Sequence, residues 1–373
     1  MSSPSHAALH GWLAQHADSL DQAATHAAQV VPALAAAGVL GAGVPVTLGG
    51  HGGDVRDGVE AIAAVAEHSL SAAFVFWGQR AFIEYLLQSP NTTLRERHLA
   101  AVLSGERAGA TGLSNAMKFL SGIESLQISA QPRDGGWTLD GRIPWATNLR
   151  KPAFVVAAAV SRADGQPPFI VALPHDRAGT TRSADLDLIA LRGSNTAALT
   201  LDAVHIDAQD LIHADARAFL PRVRPAFLGL QCGLSIGLAR SALAVAEQLG
   251  GSARPVLQEP LQAARQQLRS LTDALLQGLA DERFVTQPAS LFRIRIGLAD
   301  VVQQAVSLEL QASGGRAYHR DQPLDFARRW REAAFIPIVT PSLTQLQGEL
   351  QKQAAREAPA TAVTTTATAA TAT

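Results

Sequence analysis

The sequence predicts an α+β protein that is mostly α-helical, with an N-terminal helical domain, a small central β-barrel or β-sandwich domain and a C-terminal four-helix bundle. Apolar residues recur at helical spacing through the first hundred residues, and this period returns in long segments after Arg217. Between Ala110 and Ile212, short alternating or β-branched runs are separated by turn clusters such as Asp164-Gly165. Long helices joined by short loops are typical of a bundle.

These changes of period divide the chain into three domains and a tail. We expect a helical domain over residues 1–105, a β domain over 106–214 and a helical bundle over 215–355. Residues 356–373 form an alanine-threonine tail in which Val363 is the one large apolar side chain. Such a segment buries too little surface to offset the entropy of ordering, so the tail is predicted to be disordered.

The N-terminal domain is predicted to hold five helices. Gly38 caps the second helix at its C-terminus, and Pro90 separates the last two. The glycine-rich run VPVTLGGHGGDV interrupts them as a loop, because it lacks the lysine ending of a phosphate-binding P-loop. The predicted helices are 7–20, 23–37, 57–67, 71–87 and 93–104.

The β domain is predicted as a small antiparallel sheet followed by the bundle. Within WTLDGRIPWATN, the dipeptide Asp140-Gly141 lies between alternating apolar runs, which is the strongest short-range signal for a hairpin turn. Further strands are predicted at 126–130, 154–160, 169–173 and 199–206, and the bundle helices at 222–249, 257–281, 290–313, 323–335 and 342–357.

The end of the second hairpin strand places an indole and a hydroxyl on one face. Side chains alternate along a strand, so Trp145 and Thr147 point the same way. An aromatic plane beside a small hydrogen-bond donor suits a flat heteroaromatic cofactor. On the hairpin alone, a core indole and a satisfied edge hydroxyl are the better interpretation.

Composition excludes several classes of protein. Of 373 residues, 47% are hydrophobic and 17% are charged, which indicates a globular chain. The net charge of −1 offers no electrostatic footprint for nucleic acid or an anionic membrane. The single cysteine, Cys232, excludes an intramolecular disulfide and a cysteine-based metal site, and no other metal site is predicted. No cationic segment followed by an apolar run opens the chain, and no uninterrupted apolar stretch is long enough to span a bilayer, so we expect a cytoplasmic protein.

Five segments, in order, resemble the acyl-CoA dehydrogenase superfamily over almost the whole chain, up to about residue 353. GVLGAGVPVTLGGHGGD resembles the turn of the N-terminal domain, and SGERAGATGLSN resembles the start of the β domain. LDGRIPWATNL resembles the segment that lies against the flavin. LIALRGSNTAALTLDAVHID resembles the end of the β domain, and LQASGGRAYHRD resembles a helix end with a double glycine. The resemblance implies this family's fold and a flavin cofactor, FAD or FMN.

Carried over to this chain, the resemblance implies six cofactor-binding residues. Trp145 would pack on the isoalloxazine ring, and Thr147 would donate to its N5 edge. Leu113 and Ser114 would line the pyrimidine side of the ring. Gly314-Gly315 would let the backbone approach the cofactor of a neighbouring subunit, since glycine has no Cβ. The resemblance therefore also implies a homodimer or a homotetramer.

The chain departs from the family where the catalytic base would stand. Dehydrogenation of an acyl thioester needs a carboxylate that removes the α proton. The family's two glutamate positions are occupied here by Thr340 and Val223, and neither side chain can act as a base. Asp273, on the second bundle helix, is the remaining candidate, because an otherwise apolar helix face would raise its pKa. A structural ion pair is the alternative role for Asp273.

Two further departures concern the ligands. The segment LGGSARPVLQEP keeps Arg254 but lacks the Phe-Gly pair with which the family reaches the outer half of FAD, so FMN is an alternative cofactor. In NAMKFLSGIES, Asn115-Ala116 and Ile123-Glu124 stand where the family commonly has Glu-Pro and Ser-Asp. That loop lies where an acyl-CoA would enter, so binding of a CoA ester stays open.

Three functions remain. The first is a flavin-dependent monooxygenase or hydroxylase, which receives reduced flavin from a separate reductase and acts with oxygen on a small organic substrate. The missing glutamate favours it. The second is a divergent acyl-CoA dehydrogenase whose base has moved, with Asp273 as the candidate. The third is a non-catalytic flavin-binding or scaffold protein, which gives no reason for the pair Trp145 and Thr147.

Overall fold

The computed structural model describes residues 4–250, 254–319 and 325–357. A sheet lies between two sets of helices along the chain, which confirms the predicted fold class. The predicted start of a bundle helix at residue 323 and the predicted tail beyond residue 357 lie outside the described residues. The domain boundaries at 105, 214 and 355 stay predictions.

Five helices form the N-terminal part, and three of them begin at a side-chain cap. The Asp54 carboxylate accepts from the Arg56 N–H and forms a capping box with Asp57. The side chains of Ser69 and Asn91 accept N–H groups in the first turns of the next two helices. These caps satisfy donors that a helix start leaves without partners. The helices are α1 (Pro4–Gln22), α2 (Val30–Ala36), α3 (Val55–Ala66), α4 (Leu70–Gln88) and α5 (Thr92–Leu103).

The middle of the chain folds into a mixed sheet of eight strands. They are β1 (Ala108–Thr111), β2 (Ile128–Arg133), β3 (Gly136–Ala146), β4 (Phe154–Arg162), β5 (Phe169–Pro174), β6 (Thr180–Arg182), β7 (Ala197–Ile206) and β8 (Leu211–His213), with α6 (Ser114–Leu120) after β1. The order is β6-β7-β3-β2-β4-β5-β8, and β1 pairs with β4. Both β1 and β2 run parallel to β4, so the predicted all-antiparallel sheet is wrong there. The connections from β1 and β2 to β4 are long enough for crossovers, which parallel pairing requires.

The predicted hairpin turn at Asp140-Gly141 is also wrong. β3 continues through this dipeptide, and the turn lies at Asp134-Gly135, between β2 and β3. Gly141 marks an irregularity instead, because the register with β7 shifts between Leu139 and Gly141. A Cβ at Gly141 would lie 2.2 Å from the Gln127 carbonyl oxygen, so glycine permits a close approach of two backbones. Asp-Gly occurs at 134–135 and at 140–141, and the local sequence alone does not show which of the two forms the turn.

The C-terminal part is built on one long helix that packs against α10 and α8 and also against α3 and α4. That helix is α7 (Ala216–Gly250), and the others are α8 (Gln258–Ala280), α9 (Arg283–Thr286), α10 (Pro288–Ser313), α11 (Phe326–Phe335) and α12 (Leu343–Glu357). Because α7 contacts both sets of helices, the N-terminal and C-terminal parts share one hydrophobic core.

By length and composition alone, α7 is long and apolar enough to cross a membrane. However, 78% of its 18-residue apolar window is buried inside the fold. A helix surrounded by other helices is apolar on all sides, and α7 is therefore a core helix. Among the described residues, no second helix is both long and apolar enough.

A buried amide pair ties α4 to the β domain. The Gln79 side-chain oxygen accepts from the Gly109 N–H at 2.7 Å and from Asn148 Nδ2 at 2.8 Å. Asn148 Nδ2 also donates to the Gly109 carbonyl, at 2.8 Å. Gln79 Nε2 donates to the carbonyls of Val102 and Arg107. Both amide side chains are 0% exposed, so α4, β1 and the end of β3 are held together by bonds that water does not contact.

Close packing of α7 on α3 depends on Gly237. A Cβ there would lie 2.1 Å from the Ala63 carbonyl oxygen and 2.6 Å from the Ala66 Cβ. Gly237→Ala is therefore expected to lower the free energy of unfolding by about 1–3 kcal/mol, because the two helices must move apart. Gly348→Ala on α12 is the matched control, since nothing lies within 4 Å of that Cβ and alanine favours a helix. Urea unfolding measures both variants, and equal stability would contradict the close packing.

Candidate functional site

A cavity of about 720 Å³ lies where α4, the β domain and the segment after α11 meet. The N-terminal helices contribute Phe74 and Trp77, and the C-terminal segment contributes Phe335 and Thr340. The rest of the wall comes from the end of β1, from α6 and the loop after it, from the end of β3 and from residues 187–191. The cavity therefore needs all three parts of the chain.

Much of the cavity wall is apolar and aromatic. The Phe74 and Trp77 rings stack on α4, with centroids 5.4 Å apart and planes 5° from parallel. Trp145 is 55% exposed, Ile189 is 84% exposed and Ile338 is 67% exposed, although all three are large hydrophobic side chains. Exposed apolar side chains gathered around one cavity indicate a binding site for an apolar or aromatic ligand.

Hydroxyl groups form the polar part of the wall. Thr147 Oγ1 lies 2.9 Å from Thr196 Oγ1, which in turn lies 2.7 Å from Ser194 Oγ. A second hydroxyl pair, at 2.9 Å, joins Thr111 to Tyr85. Thr111, Thr147 and Thr196 line the cavity, whereas Ser194 and Tyr85 are fully buried behind them.

Two carboxylates are among the described residues that line the cavity, and both are ion-paired. Glu124 accepts from Lys118 at 2.6 Å and from Asn115 at 3.2 Å. The hydrogen bond from Lys118 lowers the pKa of Glu124, which makes its carboxylate a weaker base. Asp187 pairs with Arg192, and its side chain is 85% exposed. No group of His, Cys, Asp or Glu in the described part of the chain is arranged to hold a metal ion.

The N-terminal helix supports one side of the cavity through Asp21. This side chain is fully buried, and it accepts from Arg331 Nε at 2.7 Å and from the Leu191 N–H at 3.2 Å. Both Arg331 and Leu191 line the cavity. Burial raises the pKa of Asp21, while the hydrogen bond from Arg331 opposes that rise. α1 therefore holds two elements of the cavity wall that are far apart in the chain.

The comparisons with known proteins agree with this architecture. Residues 7–106 match the family model described as acyl-CoA dehydrogenase, N-terminal domain. A protein of Bacillus subtilis (strain 168) called probable acyl-CoA dehydrogenase YngJ is 25% identical over 337 residues, which cover 87% of this chain and 79% of that protein. These two matches support membership of the acyl-CoA dehydrogenase superfamily.

Several solved structures share the fold of nearly the entire chain. Butyryl-CoA dehydrogenase from Megasphaera elsdenii matches with a TM-score of 0.75 and 19% identity, over 94% of this chain and 98% of that one. A nitrososynthase from Micromonospora carbonacea var. africana matches with a TM-score of 0.77 and 21% identity, over 94% and 97%. KijD3, in complex with FMN and a dTDP-linked keto sugar, matches with a TM-score of 0.73 and 23% identity, over 95% of each chain. The superfamily fold thus includes proteins named for different reactions.

The structure brings together three of the six residues for which the superfamily resemblance implies contact with flavin. Ser114, Trp145 and Thr147 line the cavity, and Leu113 is buried directly beside them, with its N–H toward Thr111 Oγ1 at 3.4 Å. An exposed indole and hydroxyl groups on one wall fit a flat aromatic ring with polar edges. The cofactor roles of these residues stay predictions.

The two glycines lie elsewhere. Gly314 and Gly315 follow α10 and do not line the cavity. A Cβ on Gly314 would lie 3.1 Å from Arg254 Nη2, and Arg254 donates to the Gln311 carbonyl. Both segments that the resemblance linked to the cofactor of a neighbouring subunit are therefore neighbours in space. Their role toward a second subunit stays a prediction.

The candidate base positions are now located. Thr340 lines the cavity; that it stands at a glutamate position of the superfamily stays a prediction. Val223 is fully buried in α7 and does not line the cavity. Asp273 is exposed on α8, so the predicted apolar surroundings are wrong: its neighbours on that helix face point to solvent, as Arg269 does. Asp273 is also outside the cavity wall, so it does not supply the missing base there.

Sequence reasoning missed the buried hydroxyls. Thr111 and Thr196 each lie within a segment that resembles the family, but no local pattern shows that Tyr85 or Ser194 lies behind them. Sequence reasoning also missed Asp21, because its partners Arg331 and Leu191 are distant in the chain.

The Asp21 contact gives a prediction with an internal control. Asp21→Asn leaves Arg331 without its buried counter-charge, and we expect the free energy of unfolding to fall by about 3 kcal/mol. Asp18→Asn, on the same helix, should change it by less than about 1 kcal/mol, since the Asp18 side chain is 68% exposed and 3.7 Å from Arg331. Urea unfolding compares the two variants. Equal effects would mean that the ion pair with Asp21 does not support the cavity wall.

Proposed function

We propose that this protein is a flavin-dependent monooxygenase or hydroxylase that acts on a small organic substrate. Thr340 carries this proposal, because its neutral hydroxyl lines the cavity and the resemblance to the superfamily implies a carboxylate base at that position. The wall carboxylates do not replace that base. Lys118 holds Glu124, and Asp187 is largely in solvent. A reaction that requires no α-proton abstraction is consistent with such a wall.

In this proposal, Trp145 and Thr147 hold the flavin, with Ser114 and the backbone near Leu113 at the other edge of the ring. A reduced flavin held there would supply the two electrons for monooxygenation, in which one atom of molecular oxygen enters the substrate and the other leaves as water. The stacked Phe74 and Trp77 rings and the apolar side chains near Ile338 exclude water from the substrate. A separate reductase would supply the reduced flavin. The protein is also proposed to be a homodimer or homotetramer, with Gly314-Gly315 near a neighbouring cofactor.

The second candidate is a divergent acyl-CoA dehydrogenase. The curated relative with 25% identity carries that name, and this is the observation that favours it. It would need a base from outside the described cavity wall. A non-catalytic flavin-binding or scaffold role is the third candidate, and it is the one left if neither reaction occurs.

An anaerobic reduction experiment separates the candidates. We expect purified protein to bind FMN or FAD, and the bound flavin to be bleached by NADH with a flavin reductase but not by a panel of acyl-CoA esters. Admission of oxygen should then restore the yellow colour. Bleaching by an acyl-CoA without a reductase would overturn the monooxygenase proposal in favour of the dehydrogenase. Failure to bind either flavin would exclude both enzymes and leave the scaffold role.

Trp145 gives the matching binding test. Trp145→Ala removes the exposed indole from the cavity and is expected to weaken flavin binding about tenfold, since aromatic stacking contributes roughly 1–1.5 kcal/mol. Trp330→Ala is the control, because Trp330 is 49% exposed on α11 and does not line the cavity. Flavin titration by fluorescence quenching measures both. Unchanged affinity in Trp145→Ala would place the flavin elsewhere.

A further inference from the structure

Two hydroxyls on the cavity wall are each backed by a buried hydroxyl. Thr147 is backed by Ser194 through Thr196, and Thr111 is backed by Tyr85. Ser194 and Tyr85 are both 0% exposed, whereas Thr147 and Thr111 are 5% and 4% exposed at the cavity. A hydroxyl has one proton to donate, and leaving that proton without an acceptor in a buried position costs free energy. The buried hydroxyl of each chain therefore decides the direction of the hydrogen bond that it makes itself.

The direction of the first chain follows from Ser194. Among the described residues, Thr196 Oγ1 is the one hydrogen-bond partner of the Ser194 hydroxyl, so Ser194 donates to it. Thr196 has then one proton left, and the Thr147 hydroxyl is its other partner, at 2.9 Å. When Thr196 donates that proton to Thr147, the proton of Thr147 is free to point into the cavity.

The second chain has the same direction. Thr111 is the one hydrogen-bond partner of the Tyr85 hydroxyl in the described part of the chain. Burial raises the pKa of Tyr85, so the phenol keeps its proton and donates it to Thr111 Oγ1. Thr111 Oγ1 also accepts from the Leu113 N–H at 3.4 Å. The Thr111 proton is thus directed away from Tyr85 and toward the cavity.

We propose that Ser194, acting through Thr196, and Tyr85 are positioning residues that hold Thr147 and Thr111 as hydrogen-bond donors toward the cavity. The ligand must then present acceptor atoms to both threonines. This inference rests on the proposed function, in which that ligand is a flavin, and oxidised flavin carries ring nitrogen and carbonyl acceptors along its polar edges. A ligand group that can only donate, such as an ammonium, does not suit Thr111, whose oxygen already accepts from Tyr85 and from the Leu113 N–H.

The direction of the first chain is tested without any ligand, by thermal unfolding of the full chain. Thr196→Val removes the acceptor of the buried Ser194 proton, and we expect the unfolding midpoint to fall by about 2 °C or more. Adding Ser194→Ala should recover much of that loss, because the stranded hydroxyl is removed as well. If the second change instead lowers the midpoint further, Ser194 has another acceptor and the assigned direction is wrong.

The positioning role is tested by titration with FMN and with FAD. Thr147→Val should weaken binding about fivefold through loss of the donor, and Ser194→Ala about twofold to threefold, because Thr147 is then free to turn its proton toward Thr196. In the double variant, the loss should equal that of Thr147→Val alone. Multiplied losses would show that Ser194 acts by another route and would overturn the role. Thr344→Val is the control, since its hydroxyl pair with Ser342 is exposed and outside the cavity.

Tyr85→Phe with Thr111→Val gives an independent cycle of the same design, should a Ser194 variant fold poorly. Tyr85→Phe should weaken flavin binding about twofold, with no further loss when Thr111 is already valine. A wild-type protein that binds neither FMN nor FAD would refute the proposed function. The unfolding cycle of Thr196 and Ser194 would still decide the direction of the chain in that case, so the two failures are distinguishable.

Discussion

The site depends on the buried amide pair of Gln79 and Asn148. Gln79 lies on α4 and bonds both to Gly109, two residues before Thr111, and to Asn148, which directly follows Thr147. These bonds therefore fix the distance of the Thr111 and Thr147 hydroxyls from α4. The same helix carries the stacked Phe74 and Trp77 rings. Buried amide bonds are strong because no water competes for them, and they fix geometry because each donor has one partner direction. The amide pair therefore supports both the hydroxyl-bearing part and the aromatic part of the cavity wall.

A second support comes from the opposite end of the chain. Asp21 on α1 holds Arg331 and the Leu191 backbone, and α7 packs against helices of both helical parts. The cavity consequently has no wall that belongs to one part alone. Such a site forms only when all three parts of the chain have folded together.

The cavity wall consists of hydrogen-bond donors and apolar surfaces, and the carboxylates described on it form ion pairs with basic side chains. Thr111 and Thr147 offer hydroxyls, Trp145 offers an aromatic face, and Thr340 offers no base. A wall of this kind suits a flat ligand that has acceptor atoms and that carries the difficult chemistry itself. This division agrees with a superfamily fold that proteins named for different reactions share.

The sequence by itself determined the order of helices and sheet, the lack of a carboxylate at residues 223 and 340, and the proximity of Trp145 and Thr147, because these depend on local period and residue type. Predictions from the local sequence were wrong where the contacts of a residue are made by residues far away in the chain. The Asp-Gly hairpin signal occurs at 134–135 and at 140–141, and only strand pairing selects the first, since Gly141 must lie against the Gln127 backbone. The sequence pattern predicted an apolar helix face around Asp273, but the packing of α8 leaves this side chain exposed to solvent. The hydroxyl chains behind Thr111 and Thr147 were decided by tertiary structure alone, because the direction of a buried hydrogen bond depends on which atoms surround its far end.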